Sequence, residues 1–401
     1  MRLDRRRFTG VRTAGVVLAV AATLTACQTG SSGGGSSVTS AYASTPSSQS
    51  VASSPAASPA VAPNACGAPE LSRMTLRQKL AQLIVVGVTG TADATQVVQR
   101  EHIGGIFVGS WTDKSILTSG AAARLSRSQP FPLMVTVDQE GGRVSRLSSL
   151  GIDSPSAREL AQTKTPAQVR TLAASIGGQL KRLGITVDFA PDADVSDESA
   201  DEVIGDRSFS NDPQVVTQYA GAFAAGLEDA GIMPVYKHFP GHGHGSGDSH
   251  TGVVRTPPLS SLITSDLVPY KTLLRNPGNA GVMVGHLIVP GLTGPETPAS
   301  ISPRAMTMLR TGKPYGGPAF NGVVFSDDLS GMAAISQRYP IEQAALMSIK
   351  AGGDIALWIT TDRVSSVLDS MQSAVTAGTL TQARVDRSVV RILRAKGVLR
   401  C

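Results

Sequence analysis

The densest chemistry in the chain lies between Lys237 and His250. This stretch reads Lys-His-Phe-Pro-Gly-His-Gly-His-Gly-Ser-Gly-Asp-Ser-His and carries four of the six histidines. Lys237 offers a fixed cation, Asp248 a carboxylate, and the imidazoles can give and take protons near neutral pH. Pro240 and the glycines Gly241, Gly243, Gly245 and Gly247 rule out a regular helix or a central strand, so a mobile loop is expected. The apolar run Gly231–Tyr236 ahead of it reads as a strand. Parallel α/β folds keep their reactive groups at such strand ends.

Two chemistries suit these residue types. The first is cleavage of a glycosidic bond, which needs a carboxylate under the anomeric carbon and an acid beside the leaving oxygen. In Ser326-Asp327-Asp328, either aspartate has the spacing of a strand-end nucleophile. His250 would be the acid, with Asp248 orienting it and stabilising its protonated form. Lysines and arginines would hold sugar hydroxyls, some of them more tightly in the transition state. The second is metal-assisted hydrolysis through His242, His244, Asp248 and His250. Metal sites in barrels want rigid ligands, and these stand among glycines, so no metal and no cofactor is expected.

Positioning these groups takes a scaffold of repeated strand–helix units. Eight short apolar runs rich in Val and Ile read as strands buried on both faces: 83–88, 104–108, 133–137, 186–189, 233–236, 281–284, 323–325 and 354–358. Helical patterns separate them, clearest at 168–183, 214–230, 341–351, 363–376 and 382–396. Thr75-Leu-Arg-Gln78 is a capping-box pattern that opens the first helix. No Gly-x-Gly-x-x-Gly follows the first strand, which speaks against an open doubly wound sheet. The expectation is an α/β fold, a single (β/α)8 barrel over 66–401.

Polar residues recur where those strands end. Asp138-Gln-Glu140-Gly-Gly-Arg143, with Arg146 close behind, follows the third. Asp188, Asp192 and Asp194 open a long loop after the fourth that contains Arg207. Lys237 and His238 follow the fifth, and His286 the sixth. His244 reads as an ordinary loop residue. His286 reads equally as a core histidine satisfied by backbone or as a ligand contact. The three loop aspartates read as braces. Glu140 reads as a buried brace with Arg143 as its partner.

The amino-terminal part is different in kind. Residues 1–26 have five arginines at the front and an apolar stretch, Val16–Leu24, too short to span a bilayer. Leu24-Thr-Ala-Cys27 follows and resembles a bacterial lipobox, which makes Cys27 the acylated first residue of the mature chain. Arg6-Arg7 also hints at twin-arginine export. Residues 27–65 are a linker dominated by Ser, Ala, Gly and Pro, and Gln28–Asn64 holds no charge. Such a tether reaches roughly 30–35 Å. Of the formal charge of +6, residues 1–27 carry five arginines against one aspartate, which leaves about +2 for the rest and no footprint for nucleic acid. Cys66 and Cys401, at opposite ends of the globular part, are expected to form a disulfide, because a closed barrel sets its first strand beside its last helix.

The combination Lys237-His-Phe-Pro-Gly-His-Gly-x4-Asp248-Ser-His250 resembles the signature of the β-N-acetylglucosaminidases of glycoside hydrolase family three. Asp138-Gln-Glu-Gly-Gly-Arg-Val, Ile204-Gly-Asp-Arg207-Ser-Phe and Gly322-Val-Val-Phe-Ser-Asp327-Asp-Leu resemble its other blocks, in the family's order. The resemblance implies a single barrel domain and retention of configuration through a glycosyl-enzyme. It makes Asp327 the nucleophile, His250 the acid/base and Asp248 its partner. Asp138, Arg146, Arg207, Lys237 and His238 would hold the terminal sugar. Relatives that act on plain glucosides take their acid from a second domain, and no stretch here is long enough to supply one. The expected partner is therefore a GlcNAc-containing wall fragment, met by a monomer whose contact with the membrane is its lipid anchor. Relatives with the same dyad that transfer the sugar to phosphate make a phosphorylase the main rival, and a non-catalytic wall-binding lipoprotein a second. The sequence departs from the family at Gly331, where the chain more often runs straight to Met, and at Asp192, where an apolar residue is usual.

Overall fold

The computed structural model describes residues 66–401; the export signal, Cys27 and the linker over 27–65 lie outside the described residues. Eight parallel strands close into a barrel: β1 (Ile84–Gly87), β2 (Gly105–Val108), β3 (Met134–Val137), β4 (Val187–Asp188), β5 (Met233–Phe239), β6 (Gly281–Val284), β7 (Val324–Asp328) and β8 (Ile355–Trp358). They follow one another around the barrel in chain order, and β8 returns to β1 with Ile84 opposite Ala356. The strand cores are buried, as continuous apolar runs require when helices cover one face and the barrel interior the other. Inside, Phe189 packs against Phe107 and Phe325 at centroid distances of 5.8 and 5.3 Å, an apolar plug under the polar mouth.

The helices begin where capping chemistry allows. Thr75 and Gln78 exchange both capping-box hydrogen bonds ahead of Leu76–Ala81, and Thr165 and Gln168 do the same ahead of Pro166–Arg182. Pro166 and Pro213 occupy the first turns of the helices Pro166–Arg182 and Pro213–Asp229, where a missing N–H costs nothing.

Most strands lose a residue at one or both ends against their sequence outlines, and β4, β5 and β7 differ in ways that bear on the site. β4 is only two residues long, because the Thr186 hydroxyl takes the Val135 N–H that a longer ladder would have used. β5 runs on through Lys237, His238 and Phe239 rather than stopping at Tyr236, with a shift in register against β6 between Tyr236 and Phe239. β7 likewise continues through Asp327 and Asp328, with a shift against β8. Lys237, His238, Asp327 and Asp328 therefore stand on irregular strand ends and not on the loops beyond them. Irregularity of this kind re-aims side chains.

The ends of the described chain meet under the barrel floor. Cys66 and Cys401 form a disulfide with Cα atoms 5.8 Å apart. Lys79 and Asp386 make a buried ion pair at 2.8 Å between the helix Leu76–Ala81 and the final helix, Gln382–Ala395. Asp354, at the base of β8, collects Arg310, Arg384, Arg391 and the Ser388 hydroxyl, which ties the final helix to the barrel.

Candidate active site

At the carboxyl ends of the strands opens a cavity of about 370 Å³. Asp138, Glu140, Arg146, Arg207, Lys237, His238, His250 and Asp327 all line it, drawn from the segment just after β3, the long loop after β4, β5, the loop after β5, and β7.

Lys237 is the hub of the inner wall. Its Nζ donates to Asp138 Oδ1 at 2.7 Å and to Glu140 Oε1 at 2.6 Å. Arg207 lays its fork on Glu140, Nε to Oε2 at 2.8 Å and Nη2 to Oε1 at 2.9 Å. Burial alone would push the Glu140 carboxyl up, but the two cations outweigh it and hold it well below the usual range. Glu140 also outweighs the effect of burial on Arg207, and Asp138 with Glu140 does so on Lys237, so both stay charged. The pairing expected between Glu140 and Arg143 is not formed. A short hairpin, Gln139–Gly141 with Val144–Ser145, is irregular at Gly141 and turns Arg143 outward to Asp206 and to the carbonyls of Glu202, Val203 and Ile204. Arg146 points into the cavity, and among the described residues its guanidinium has no hydrogen-bond or ion-pair partner.

His238 is pinned from both sides. Its backbone N–H and its ring Nδ1 meet Asp194, the ring at 2.8 Å, while Nε2 lies 3.5 Å from Arg207 Nη2. Those partners place the proton on Nδ1 and leave Nε2 as the acceptor. Burial would raise Asp194, but the His238 and His242 imidazoles outweigh it and hold the carboxyl low. Neighbouring Asp192 is pushed well up by burial and by the charge of Asp194. Among the described residues, Asp192, Asp194 and His238 are the one trio of ligand-type groups within 4.8 Å of one another. Asp194 already accepts three N–H groups there and the Arg207 guanidinium lies 3.8 Å from Asp192, so the trio is built as a hydrogen-bond brace. Asp188 braces as well: its Oδ1 accepts the Gln139 N–H, and burial pushes its carboxyl up to about 8.

Asp327 stands at the irregular end of β7. Burial pushes its carboxyl up, but His238, His286, the Asp328 N–H and Lys237 outweigh that, and the net shift is downward. Asp328 faces the other way in its bonding. Its Oδ1 accepts from the Ser330 N–H and hydroxyl and its Oδ2 from the Gly331 N–H, and burial pushes it up. His286 sits behind this turn, with Nε2 donating to the Asp328 carbonyl at 2.8 Å and Nδ1 accepting from the Ser300 hydroxyl at 2.7 Å. It is a core histidine.

His250 is the outermost member, with 63% of its side chain exposed. Its Nδ1 donates to Asp248 Oδ1 at 2.8 Å, the same oxygen that accepts its backbone N–H. Nε2 is left to face the mouth. Asp248 is held below its usual range by these bonds against the opposing effect of burial. The loop is anchored at intervals. Gly241 N–H returns to the His238 carbonyl, His242 faces the Ser249 hydroxyl, and His244 pairs with buried Asp266. Of the four groups of the metal scheme, Asp248 and His250 pair with each other, while His242 and His244 turn to Ser249 and Asp266. The helix Ala333–Ser336, which follows Asp327, gives its first N–H groups to the carbonyls of His250 and Ser249. Gly331 allows the close turn that sets this helix start, because a Cβ there would lie 2.4 Å from Asp328. The loop that carries His250 and the helix that follows β7 are therefore hydrogen-bonded neighbours.

The glycosyl hydrolase family 3 N-terminal domain matches residues 75–395, nearly the whole barrel. The chain belongs to glycosyl hydrolase family 3. As a family 3 member it is a glycosidase. It is 57% identical over 338 residues to the beta-hexosaminidase LpqI of Mycobacterium tuberculosis, a match that covers 84% of this chain and 87% of that protein. The solved structure of M. tuberculosis LpqI superposes with a TM-score of 0.80 at 58% identity, covering 83% of this chain and 97% of the other. A family 3 β-N-acetylglucosaminidase from Paenibacillus superposes with a TM-score of 0.74 at 30% identity, covering 81% of this chain and 62% of that one.

The largest lining side chain with no place in the sequence reading is an indole. Trp111, just beyond β2, stands at the rim of the cavity. Its only signal was an aromatic residue shortly after a strand end, in a chain where aromatics make up 4%.

Proposed function

We propose that this glycosidase is an exo-acting, retaining β-N-acetylglucosaminidase that releases terminal GlcNAc from peptidoglycan fragments such as GlcNAc-MurNAc. The observation that carries the proposal is one sugar-sized cavity holding an ionised carboxylate on a strand end, Asp327, and an exposed imidazole held by a second carboxylate, His250 with Asp248. Asp327 attacks the anomeric carbon while the His250 imidazolium gives its Nε2 proton to the leaving oxygen. Neutral His250 then takes a proton from water as that water attacks the same carbon and releases Asp327. Asp138, Lys237, Arg207, His238 and Arg146 hold the hydroxyls of the terminal sugar. The similarity to a beta-hexosaminidase and to a β-N-acetylglucosaminidase supports the amino-sugar preference. The test is to incubate the pure enzyme with GlcNAc-MurNAc and identify the products by mass, with and without inorganic phosphate. Free GlcNAc is expected in both arms. A sugar 1-phosphate appearing only with phosphate would make the enzyme a phosphorylase, and no product in either arm would remove the substrate assignment.

We also propose that the protein is exported, acylated on Cys27 and held by the 27–65 linker on the outer face of the membrane, where it meets wall sugars as a monomer. The Leu24–Cys27 pattern supports this, as does the Cys66–Cys401 disulfide, which belongs to an oxidising compartment. Cys27→Ala is expected to move the protein from the membrane fraction to the soluble fraction; an unchanged distribution would sink the anchor.

A further inference from the structure

Trp111 has no part in the chemistry above, yet it is held in place as if it had a task. It is 46% exposed, and among the described residues only Val253 is a large apolar side chain of similar exposure. An indole left in water forgoes its burial, and an unrestrained one would fold against the surface. This one cannot. The loop from Gly109 to Lys114 wraps around the Lys114 ammonium, which donates to the carbonyls of Gly109, Thr112 and Ser110 at 2.7, 2.8 and 3.3 Å. The Thr112 hydroxyl donates to the Val88 carbonyl and accepts the Gly109 N–H, which fastens the loop to the end of β1. Phe107, the third residue of β2, meets the indole edge to face at 5.8 Å. Gly109 is the seat: a Cβ there would come within 2.4 Å of the six-membered ring.

A fixed, exposed aromatic face at the rim of a polar cavity fits a particular ligand surface. One face of a β-linked pyranose presents axial C–H groups and little polarity, and such a face stacks on an indole while its hydroxyls stay in water. The deep wall of the cavity is taken up by charged groups that suit hydroxyls, and the exposed imidazole that protonates the leaving oxygen stands, like Trp111, at the mouth. The sugar that crosses the rim is therefore the one beyond the scissile bond. Resting on the glycosidase reading of this cavity, we infer that Trp111 stacks on the aglycone sugar and sets the enzyme's preference for saccharide over small leaving groups.

The experiment compares kcat/KM for GlcNAc-MurNAc with that for methyl β-N-acetylglucosaminide, whose leaving group is too small to stack. Trp111→Ala is expected to lower the ratio of the two by about tenfold or more, mainly through KM for the disaccharide, with Trp111→Phe retaining most of it. An unchanged ratio, or an equal fall on both substrates, overturns the inference. Fluorescence supplies a second reading, because the chain has two tryptophans and Trp358 is buried. Titrating Asp327→Asn with the disaccharide should shift Trp111 emission to the blue and shield it from iodide; no change in either overturns the inference. A wild-type enzyme that cleaves the methyl glycoside but not the disaccharide sinks the substrate assignment instead, and a chitobiose titration of Asp327→Asn then decides the role of Trp111 alone.

Discussion

Asp327→Ala lowers kcat on an aryl β-N-acetylglucosaminide by about 10⁴-fold or more, since it removes the group that forms the covalent intermediate. Thermal melting should change little, because among the described residues the Asp327 carboxylate accepts one hydrogen bond, a short-range one from the Asp328 N–H. Azide added to the variant should restore turnover and yield the sugar azide of opposite anomeric configuration, because a small nucleophile fits where the carboxylate stood. Asp328→Asn is the contrasting case. Asp328 accepts three hydrogen bonds from the turn at Ser330 and Gly331, so its loss should act through the turn and leave azide rescue absent. The wild-type acid limb carries the same information. Against the effect of burial, the Asp327 carboxyl is held below its ordinary value by His238, His286, the Asp328 N–H and Lys237, so the acid limb is expected below the usual aspartate range. Wild-type-like turnover in Asp327→Ala would end the mechanism.

Glu140→Ala should cost about 3–5 kcal/mol of folding stability, the expected penalty for removing one partner from a buried charge cluster. Its side chain is 5% exposed, and its removal leaves Lys237 with Asp138 alone and Arg207 with a 3.8 Å approach to Asp192. Glu140→Gln should be milder, since an amide oxygen can still accept from Arg207. The pH dependence separates charge from shape. Glu140 is held well below its ordinary value in the folded protein, while in the unfolded chain it takes a proton near pH 4.3. Below that point the unfolded state binds the extra proton, so stability from this group is present above about pH 4.3 and drains away as the pH falls. Denaturant melts of the wild type should therefore weaken more steeply below about pH 4.5 than those of Glu140→Gln. Parallel curves would mean that Glu140 acts by packing and not by charge.

The barrel was legible because its strands are continuous apolar runs and its helices open on capping residues that act locally, such as Thr75 with Gln78 and Thr165 with Gln168. The partners of Glu140 were not. Arg207 lies 67 residues away and Lys237 reaches it from another strand, so only closure of the barrel brings them together. The neighbouring Arg143 looked the better partner in one dimension, and the hairpin irregularity at Gly141 is what turns it away. Glycine and proline content argued for a loop starting at Lys237, but Lys237 and His238 remain in β5, held there by Asp138 and Asp194, groups that no periodicity can reveal. Trp111 escaped notice because a single aromatic residue has no pattern, and its meaning comes from the cavity beside it.

The bond between Cys66 and Cys401 has a mechanical meaning. It makes the polypeptide from 66 to 401 a covalent ring, with β1 and the final helix both inside the loop. A pull on the chain ahead of Cys66 is carried across the sulfurs into the last residue, and neither end can be peeled from the barrel as a free strand. Force applied there leaves the pocket's shape intact, and new chain ends could be opened in an exposed loop while the ring keeps the staves in order.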